Sequence, residues 1–367
     1  MSEQRFKRLQ QALREAGADV VAIVPGANLF YLAGLTIHLS ERLSIALFTA
    51  DGRAAMVLPD LERPRAAQEA RIGIDFYSWR DDEGFAPALE RCCADLGLHK
   101  KRVAVEYGAM RVLELRALEQ PAAVETFDAT PLLASLRMVK DQDELAAMRQ
   151  AVHIVEVGLR AAIEAIRPGI TEREVAAVWE RAMAEAGAER PSFKTIIASG
   201  PNSANPHHTT SDRRLQAGDL VILDGGALYK GYCSDITRTV AVGHISEEAR
   251  RIYETVLAAN AAGRAAVRPG ASGAEIDHAA RSVIEQAGYG PAFVHRTGHG
   301  LGIEIHEPPY LHAGSRDPLP IGATFTVEPG IYLEGIGGVR IEDNVVIIED
   351  GGESLTTFPR DLIIVGQ

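Results

Sequence analysis

Apolar residues recur along this chain with two periods. In RFKRLQQALREAG, Phe6, Leu9, Leu13 and Ala16 fall on one face of a helix, and Gly17 is placed to end it. Short apolar runs follow, VVAIV, SIALF, AAMVL and RVAVEY, with helical patterns between them. Runs of this kind predict strands buried on both faces, so residues 1 to about 130 read as an α/β domain with an enclosed sheet. The pattern changes at DATPLLASLRMVKDQDELAAMRQ, where Asp141 and Glu144 have the spacing of a capping box and a long helix is predicted to run to Ile166. A second domain is expected from about residue 131 to 367.

The second region repeats itself. IRPGITEREVAAVWERAMAEAG begins at Ile166 and VRPGASGAEIDHAARSVIEQAG begins at Val267, 101 residues on. Each copy has an Arg-Pro-Gly turn, a helical stretch and a closing Ala-Gly. Both continue into similar strand patterns, AGDLVILDGGALY and IGATFTVEPGIYL, in which Gly218, Asp224 and Gly226 correspond to Gly322, Glu328 and Gly330. This predicts an α+β domain built by duplication, with two related hairpins about a pseudo-twofold axis.

Strand alternation then places the acidic residues. Leu220, Ile222 and Asp224 share one face, as do Cys233, Asp235 and Thr237 on the returning strand. In the second hairpin Thr324, Thr326 and Glu328 share a face, and Arg340 and Glu342 lie on the other arm. Four carboxylates on neighbouring buried strands repel one another unless a cation lies among them. Metal satisfies all four. FVHRTGHGLGIEIHE supplies candidates for a further ligand: His295, Thr297 and His299 share a face, and His306 follows closely. A second histidine pair, His207 and His208, stands in PHHTT. The glycines around His299 allow close backbone approach. They do not read as a phosphate loop, which needs a strand-turn-helix context and a lysine.

Composition narrows the function. The chain has 367 residues, 46% of them hydrophobic and 24% charged, and a net charge of -12. That acidity disfavours nucleic acid and anionic membrane as partners. Cys92, Cys93 and Cys233 have no metal-ligand spacing and read as reduced, packed thiols of a cytoplasmic protein. The N-terminal MSEQRFKRLQQALREAG has no apolar core run, so neither a signal peptide nor a membrane span is expected there.

Asp224, Asp235, His299, Glu328 and Glu342, set in DGGALYKGYCSDITRT, TGHGLGIEIHE, TVEPGIY and GVRIED, resemble the dinuclear site of the pita-bread metallopeptidases, in particular the prolidase and Xaa-Pro aminopeptidase branch. The resemblance spans the chain: residues 1 to about 130 are similar to the creatinase-type N-terminal domain and the rest to the catalytic domain. Methionine aminopeptidases share the ligands but normally lack the N-terminal domain, and creatinase shares the domains but lacks the ligands.

The resemblance implies a metal-dependent hydrolase of Xaa-Pro bonds in small proline-containing peptides, pairing as a homodimer. Asp235 and Glu342 would bridge two divalent ions, Asp224 would bind one, and His299 with Glu328 would complete the other. Two such ions can acidify a shared water and polarise the scissile carbonyl. An oxygen-rich donor set suits manganese first, with cobalt, iron and zinc as alternatives. By the same resemblance His207 and His306 donate to the carbonyl oxygen, Glu328 shuttles a proton to the departing nitrogen, His295 and Arg340 support the substrate side, and Phe193 is a pocket aromatic. His153, His208, His244, His278 and His312 read as surface or satisfied polar residues.

Many prolidases carry an arginine shortly after the IHE histidine that holds the dipeptide carboxylate. Here that stretch is IHEPPYL, with Tyr310 in its place and Arg316 a few residues on as a substitute candidate. Without a clamp, longer Xaa-Pro peptides should be cleaved at least as well as dipeptides. The same scaffold could also serve a non-peptide amide hydrolase or a non-catalytic binding protein; the intact ligand set opposes the second.

Overall fold

Gly17 adopts a left-handed φ of 62°, and its N–H donates to Arg14 O at 3.1 Å, closing α1 (Ser2–Glu15). Leu9 and Leu13 of that helix are fully buried, as the apolar spacing predicts. The computed structural model describes residues 2–366 and separates into two compact units that divide between Arg137 and Met138.

In the first unit the apolar runs form β1 (Val20–Ile23), β2 (Ile45–Thr49) and β3 (Ala54–Pro59), every residue of which is buried. α2 (Ala27–Ala33) lies between the first two, and α3 (Arg63–Glu69), β4 (Asp75–Trp79), α4 (Ala86–Leu96), β5 (Arg102–Val105), α5 (Val112–Ala122), β6 (Glu125–Asp128) and α6 (Thr130–Met138) follow. The sheet order is β4-β3-β2-β1-β5-β6. β2 pairs antiparallel with both β1 and β3, and the other neighbours are parallel. Cys92 and Cys93 are free thiols packed in this core. Pro131, where the sequence changes character, lies in the first turn of α6, a position at which proline costs no helical hydrogen bond.

The second unit opens with α7 (Gln142–Ala165), whose capping box is present: Asp141 Oδ1 accepts from Asp143 N–H and Glu144 N–H, and Glu144 Oε2 accepts from Asp141 N–H. α8 (Glu172–Glu185), β7 (Arg190–Pro191), β8 (Ile196–Ser199), β9 (Leu220–Gly225), β10 (Ala227–Tyr229), β11 (Tyr232–Cys233) and β12 (Ile236–Val242) complete the first half. The second half contains α9 (Glu247–Ala265), α10 (Gly273–Gln286), β13 (Gly298–Gly300), β14 (Glu307–Leu311), β15 (Thr324–Val327), β16 (Gly330–Leu333), β17 (Gly337–Arg340), β18 (Asp343–Ile348), β19 (Gly351–Ser354) and β20 (Ile363–Val365).

The duplication is visible bond by bond. The Arg-Pro-Gly turns place Gly169 at φ 90° and Gly270 at φ 77°, and their N–H groups donate to Leu215 O (2.8 Å) and Leu319 O (3.0 Å). Thr171 with Glu174 caps α8 just as Ser272 with Glu275 caps α10. The main sheets have orders β20-β12-β9-β8 and β14-β13-β15-β18-β19. The antiparallel pairs β9/β12 and β15/β18 occupy corresponding places in the two halves. Trp179 and Phe325 are fully buried anchors of the two cores. No helix of the described residues is long and apolar enough to cross a membrane.

Candidate functional site

Strand register carries the acidic side chains to one place. Asp224 of β9 lies opposite Thr237 of β12. Asp235 leads into β12, and its backbone is held on both sides by Asn344: Asp235 N–H donates to Asn344 Oδ1 (3.1 Å), and Asn344 Nδ2 donates to Asp235 O (2.6 Å). Glu342 lies between β17 and β18; its N–H donates to Thr237 O (3.1 Å) and its Oε2 accepts from Thr237 Oγ1 (2.7 Å). Glu328 follows β15, where Thr326 Oγ1 donates to its Oε1 (3.1 Å). His299 is the middle residue of β13, and a Cβ at its neighbour Gly298 would meet Thr326 O at 1.9 Å, so only glycine lets this strand lie so close to β15.

His299 Nδ1 faces Gly300 O at 3.1 Å, which assigns the proton to Nδ1 and a lone pair to Nε2. Nε2 points to Glu328 Oε1 at 3.4 Å and Asp235 Oδ2 at 3.6 Å. Burial, then the neighbouring His306, pushes His299 down to about 3, so it is neutral and these contacts are not ion pairs. They are acceptors facing acceptors. One ligand atom from each of Asp235, His299 and Glu342 lies within 4.8 Å of the others.

Asp224 Oδ1, Asp235 Oδ1 and Glu342 Oε1 are buried without a hydrogen-bond partner among the described residues. Burial, followed by Glu342 and Asp224, pushes the Asp235 carboxyl well above the usual range; burial, followed by Glu328 and Asp224, does the same to Glu342. Divalent cations reverse that logic, since they favour the ionised carboxylates. Orphaned oxygens, a lone pair aimed among them and mutual repulsion together fit a metal centre.

A second layer fixes these groups. Arg340 Nη2 donates to Asp224 Oδ2 (2.5 Å), its Nε donates to Thr237 Oγ1 (3.1 Å) and its Nη1 donates to Tyr332 OH (2.7 Å). His295 Nδ1 contacts Arg296 O at 2.8 Å, so the bare Nε2 accepts from Tyr332 OH at 2.9 Å. Burial, then Arg340, lowers His295 to about 4, consistent with a neutral ring. Tyr332 and Asn344 are absent from the sequence reading of the site, which placed Thr237 and Thr326 on the acidic strand faces but gave them no role. Tyr332→Phe leaves Arg340 Nη1 and His295 Nε2 buried without this partner. It is expected to cost about 1–3 kcal/mol of stability and to lower kcat/KM by roughly 10-fold or more. Thermal unfolding and kinetics of the variant check this, and wild-type values for both would remove the tyrosine from the network.

Phe193, His207, Asp224, Asp235, His295, His299, His306, Glu328, Arg340 and Glu342 line one cavity of about 450 Å³, which Ile196, Pro206, Arg296 and Ile305 complete. His207 and His306 stand exposed at its mouth, and the rings of His306 and His299 meet edge-on, 4.2 Å between centroids. The segment carrying His207 is tied down by Glu172, a buried residue at the start of α8. Glu172 accepts from Ser199 N–H (2.8 Å), Asn202 Nδ2 (2.9 Å) and Ser211 Oγ (2.6 Å), and meets His208 Nε2 at 2.9 Å. Although burial opposes ionisation, these bonds, Ser211 first, hold Glu172 at about 2. His208 is thus a satisfied polar residue, and His153, His244, His278 and His312 are exposed, as expected. Cys233 is a buried free thiol whose pKa burial raises to about 12.

The arginine expectation needs correction. Arg316 is exposed in the segment between β14 and β15 and does not line the cavity. Arg296 does, with its guanidinium carbon 4.4 Å from the centre of the Tyr310 ring. Two positions ahead of the GHG strand, it carried no motif that marks a pocket cation.

Residues 146–349 match metallopeptidase family M24, and residues 5–139 match the creatinase/prolidase N-terminal domain. The Xaa-Pro dipeptidase of Pyrococcus furiosus is 36% identical over 363 residues, covering 98% of this chain and all of its own length (100%). Among solved structures, the prolidase from Thermococcus sibiricus superposes with a TM-score of 0.93 at 36% identity, covering 100% of this chain and 99% of its own. An X-Pro aminopeptidase from Thermotoga maritima gives a TM-score of 0.85 at 34% identity, covering 97% of this chain and 100% of its own.

Proposed function

The chain belongs to metallopeptidase family M24, and from that premise we propose that it hydrolyses the Xaa-Pro bond of small peptides. It is a metal-dependent hydrolase; the bond it cleaves is the proposal. The observation that carries it is the convergence of acceptor atoms from Asp235, His299 and Glu342 at the floor of a cavity, beside Glu328 and Asp224. Relatives named for Xaa-Pro cleavage match it over nearly its whole length.

Asp224, Asp235, His299, Glu328 and Glu342 would together hold the divalent ions. The oxygen-rich set favours manganese, with cobalt, iron and zinc as alternatives. When bound, such ions supply Lewis-acid activation of the scissile carbonyl and of the water nucleophile. The chain's own groups do the rest. His207 and His306 donate N–H bonds to the carbonyl oxygen as negative charge develops on it. Glu328 carries the proton from the attacking water to the departing nitrogen. That transfer matters because the Xaa-Pro bond is a tertiary amide whose amine leaves poorly until protonated. Phe193, Ile196 and Ile305 give the cavity an apolar wall for the proline ring.

The test is a panel of Ala-Pro, Ala-Pro-Ala, Ala-Ala and small non-peptide amides with added manganese. Proline-containing peptides are expected to exceed Ala-Ala in kcat/KM by roughly 10- to 200-fold, the range a shaped apolar pocket supplies. Equal cleavage of Ala-Ala, or turnover of the amides alone, would overturn the reading.

A further inference from the structure

Two arginines line the cavity, and their situations differ. Arg340 is buried and engaged by Asp224, Thr237 and Tyr332. Arg296, by contrast, has the Tyr310 ring against it and, among the described residues, no hydrogen-bonded or ion-paired partner for its guanidinium. The cavity's carboxylates, Asp224, Asp235, Glu328 and Glu342, are those proposed to hold cations, and the half-buried Arg296 guanidinium hydrogen-bonds to none of them, which leaves its donors for a ligand.

Its position is set by the sheet. Thr297 N–H donates to Leu311 O at 3.0 Å, and His299 pairs with Tyr310 across β13 and β14. This brings the residue just before Thr297 alongside the Tyr310 ring, which holds the guanidinium plane by cation–π contact. Arg296 lines the same cavity as His306 and Glu328, at the end where the reaction is proposed to occur.

We infer that Arg296, stacked on Tyr310, pairs with the free C-terminal carboxylate of an Xaa-Pro dipeptide and makes this pocket a dipeptidase site. This rests on the Xaa-Pro reading above. In a dipeptide the carboxylate is attached to the ring carbon beside the departing nitrogen. In a longer peptide an amide occupies that place, and the next carboxylate lies about one residue, roughly 3.8 Å, farther on. A planar guanidinium fork matches a carboxylate through two parallel hydrogen bonds, and a neutral amide leaves it unpaired. Tyr310, which cannot itself bind a carboxylate in this way, is the platform that orients the arginine. The expected preference is therefore the reverse of the tolerance for longer peptides that the IHEPPYL stretch suggests.

The test compares Ala-Pro, Ala-Pro amide and Ala-Pro-Ala in wild type, Arg296→Met, Arg296→Lys and Tyr310→Leu, with metal content measured throughout. Wild type is expected to favour Ala-Pro over its amide by about 10- to 100-fold in kcat/KM. Arg296→Met should lose that factor on Ala-Pro, mainly through KM, while cleavage of the amide stays within about twofold and metal content is unchanged. Arg296→Lys should recover part of the loss, and Tyr310→Leu should weaken the preference by a smaller factor. A preference for the free carboxylate that survives in Arg296→Met, equal losses on all three substrates, or a wild-type preference for the amide would each overturn the proposal. Calorimetric binding of proline against prolinamide separates it from the function itself. Should wild type cleave no Xaa-Pro peptide, that function fails, and selective binding of proline lost in Arg296→Met would still support the clamp; equal binding of both would reject it.

Discussion

Replacing Glu342 by alanine is expected to remove bound metal and hydrolysis together, and chelation of the wild type is expected to abolish activity until manganese or cobalt is restored. Glu342 is buried, one oxygen accepts from Thr237 Oγ1 at 2.7 Å, and the other has no hydrogen-bond partner among the described residues. That division suits a carboxylate anchored on one side and presented to cations on the other. Its removal takes one negative charge from the centre and leaves paired cations undercompensated. Loss of a residue that only supports a ligand costs roughly 10- to 100-fold in affinity or activity, and loss of Glu342, if it is itself a ligand, exceeds that, beyond about 10³-fold in kcat/KM. Metal analysis and Ala-Pro kinetics on the same preparations decide the matter. Full activity of a verified metal-free protein, or a Glu342→Ala protein with wild-type metal content and turnover, would show the site to be misassigned.

His207→Ala and His306→Ala are each expected to cut kcat by roughly 10²–10³ with metal content intact, the loss typical of one preorganised donor at a developing oxyanion. Both histidines stand at the cavity mouth and lie outside the cluster of mutually close ligand atoms. His306 is held below its ordinary value by burial and then by the Arg296 charge, so it is a neutral imidazole with an N–H to offer. His207 sits on a segment whose geometry is fixed through Asn205, which accepts from its backbone N–H at 3.0 Å, and through the Glu172 cluster nearby. Loss of metal from either variant would make that histidine a ligand instead, and unchanged kcat would leave it a surface residue.

Much of the candidate site was legible because its proposed ligands sit on strands or beside their ends. A period of two puts Asp224 and Leu220 on one face without any knowledge of the neighbours, and the repeated Arg-Pro-Gly turn announces that a second hairpin carries the matching set. Helix caps were equally readable, since Asp141, Thr171 and Ser272 act on backbone N–H groups only two or three residues away. The least readable residues act through partners far along the chain. Asn344 holds Asp235, Tyr332 joins His295 to Arg340, and Lys140 Nζ donates to Glu307 Oε1 at 2.7 Å inside the second unit.

The sequence by itself determined the class of the two units, the duplicated architecture of the second, and the residue types able to hold cations, because all of these follow from short-range periodicity and from the cost of burying like charges. Only the tertiary structure decided that Arg296, and not Arg316, lines the cavity. Arg316 follows the IHE motif closely but lies exposed, whereas Arg296 is brought to the cavity by pairing between β13 and β14. Whether a long, flexible cation points inward depends on strand register and on which ring its guanidinium meets. No local period encodes either.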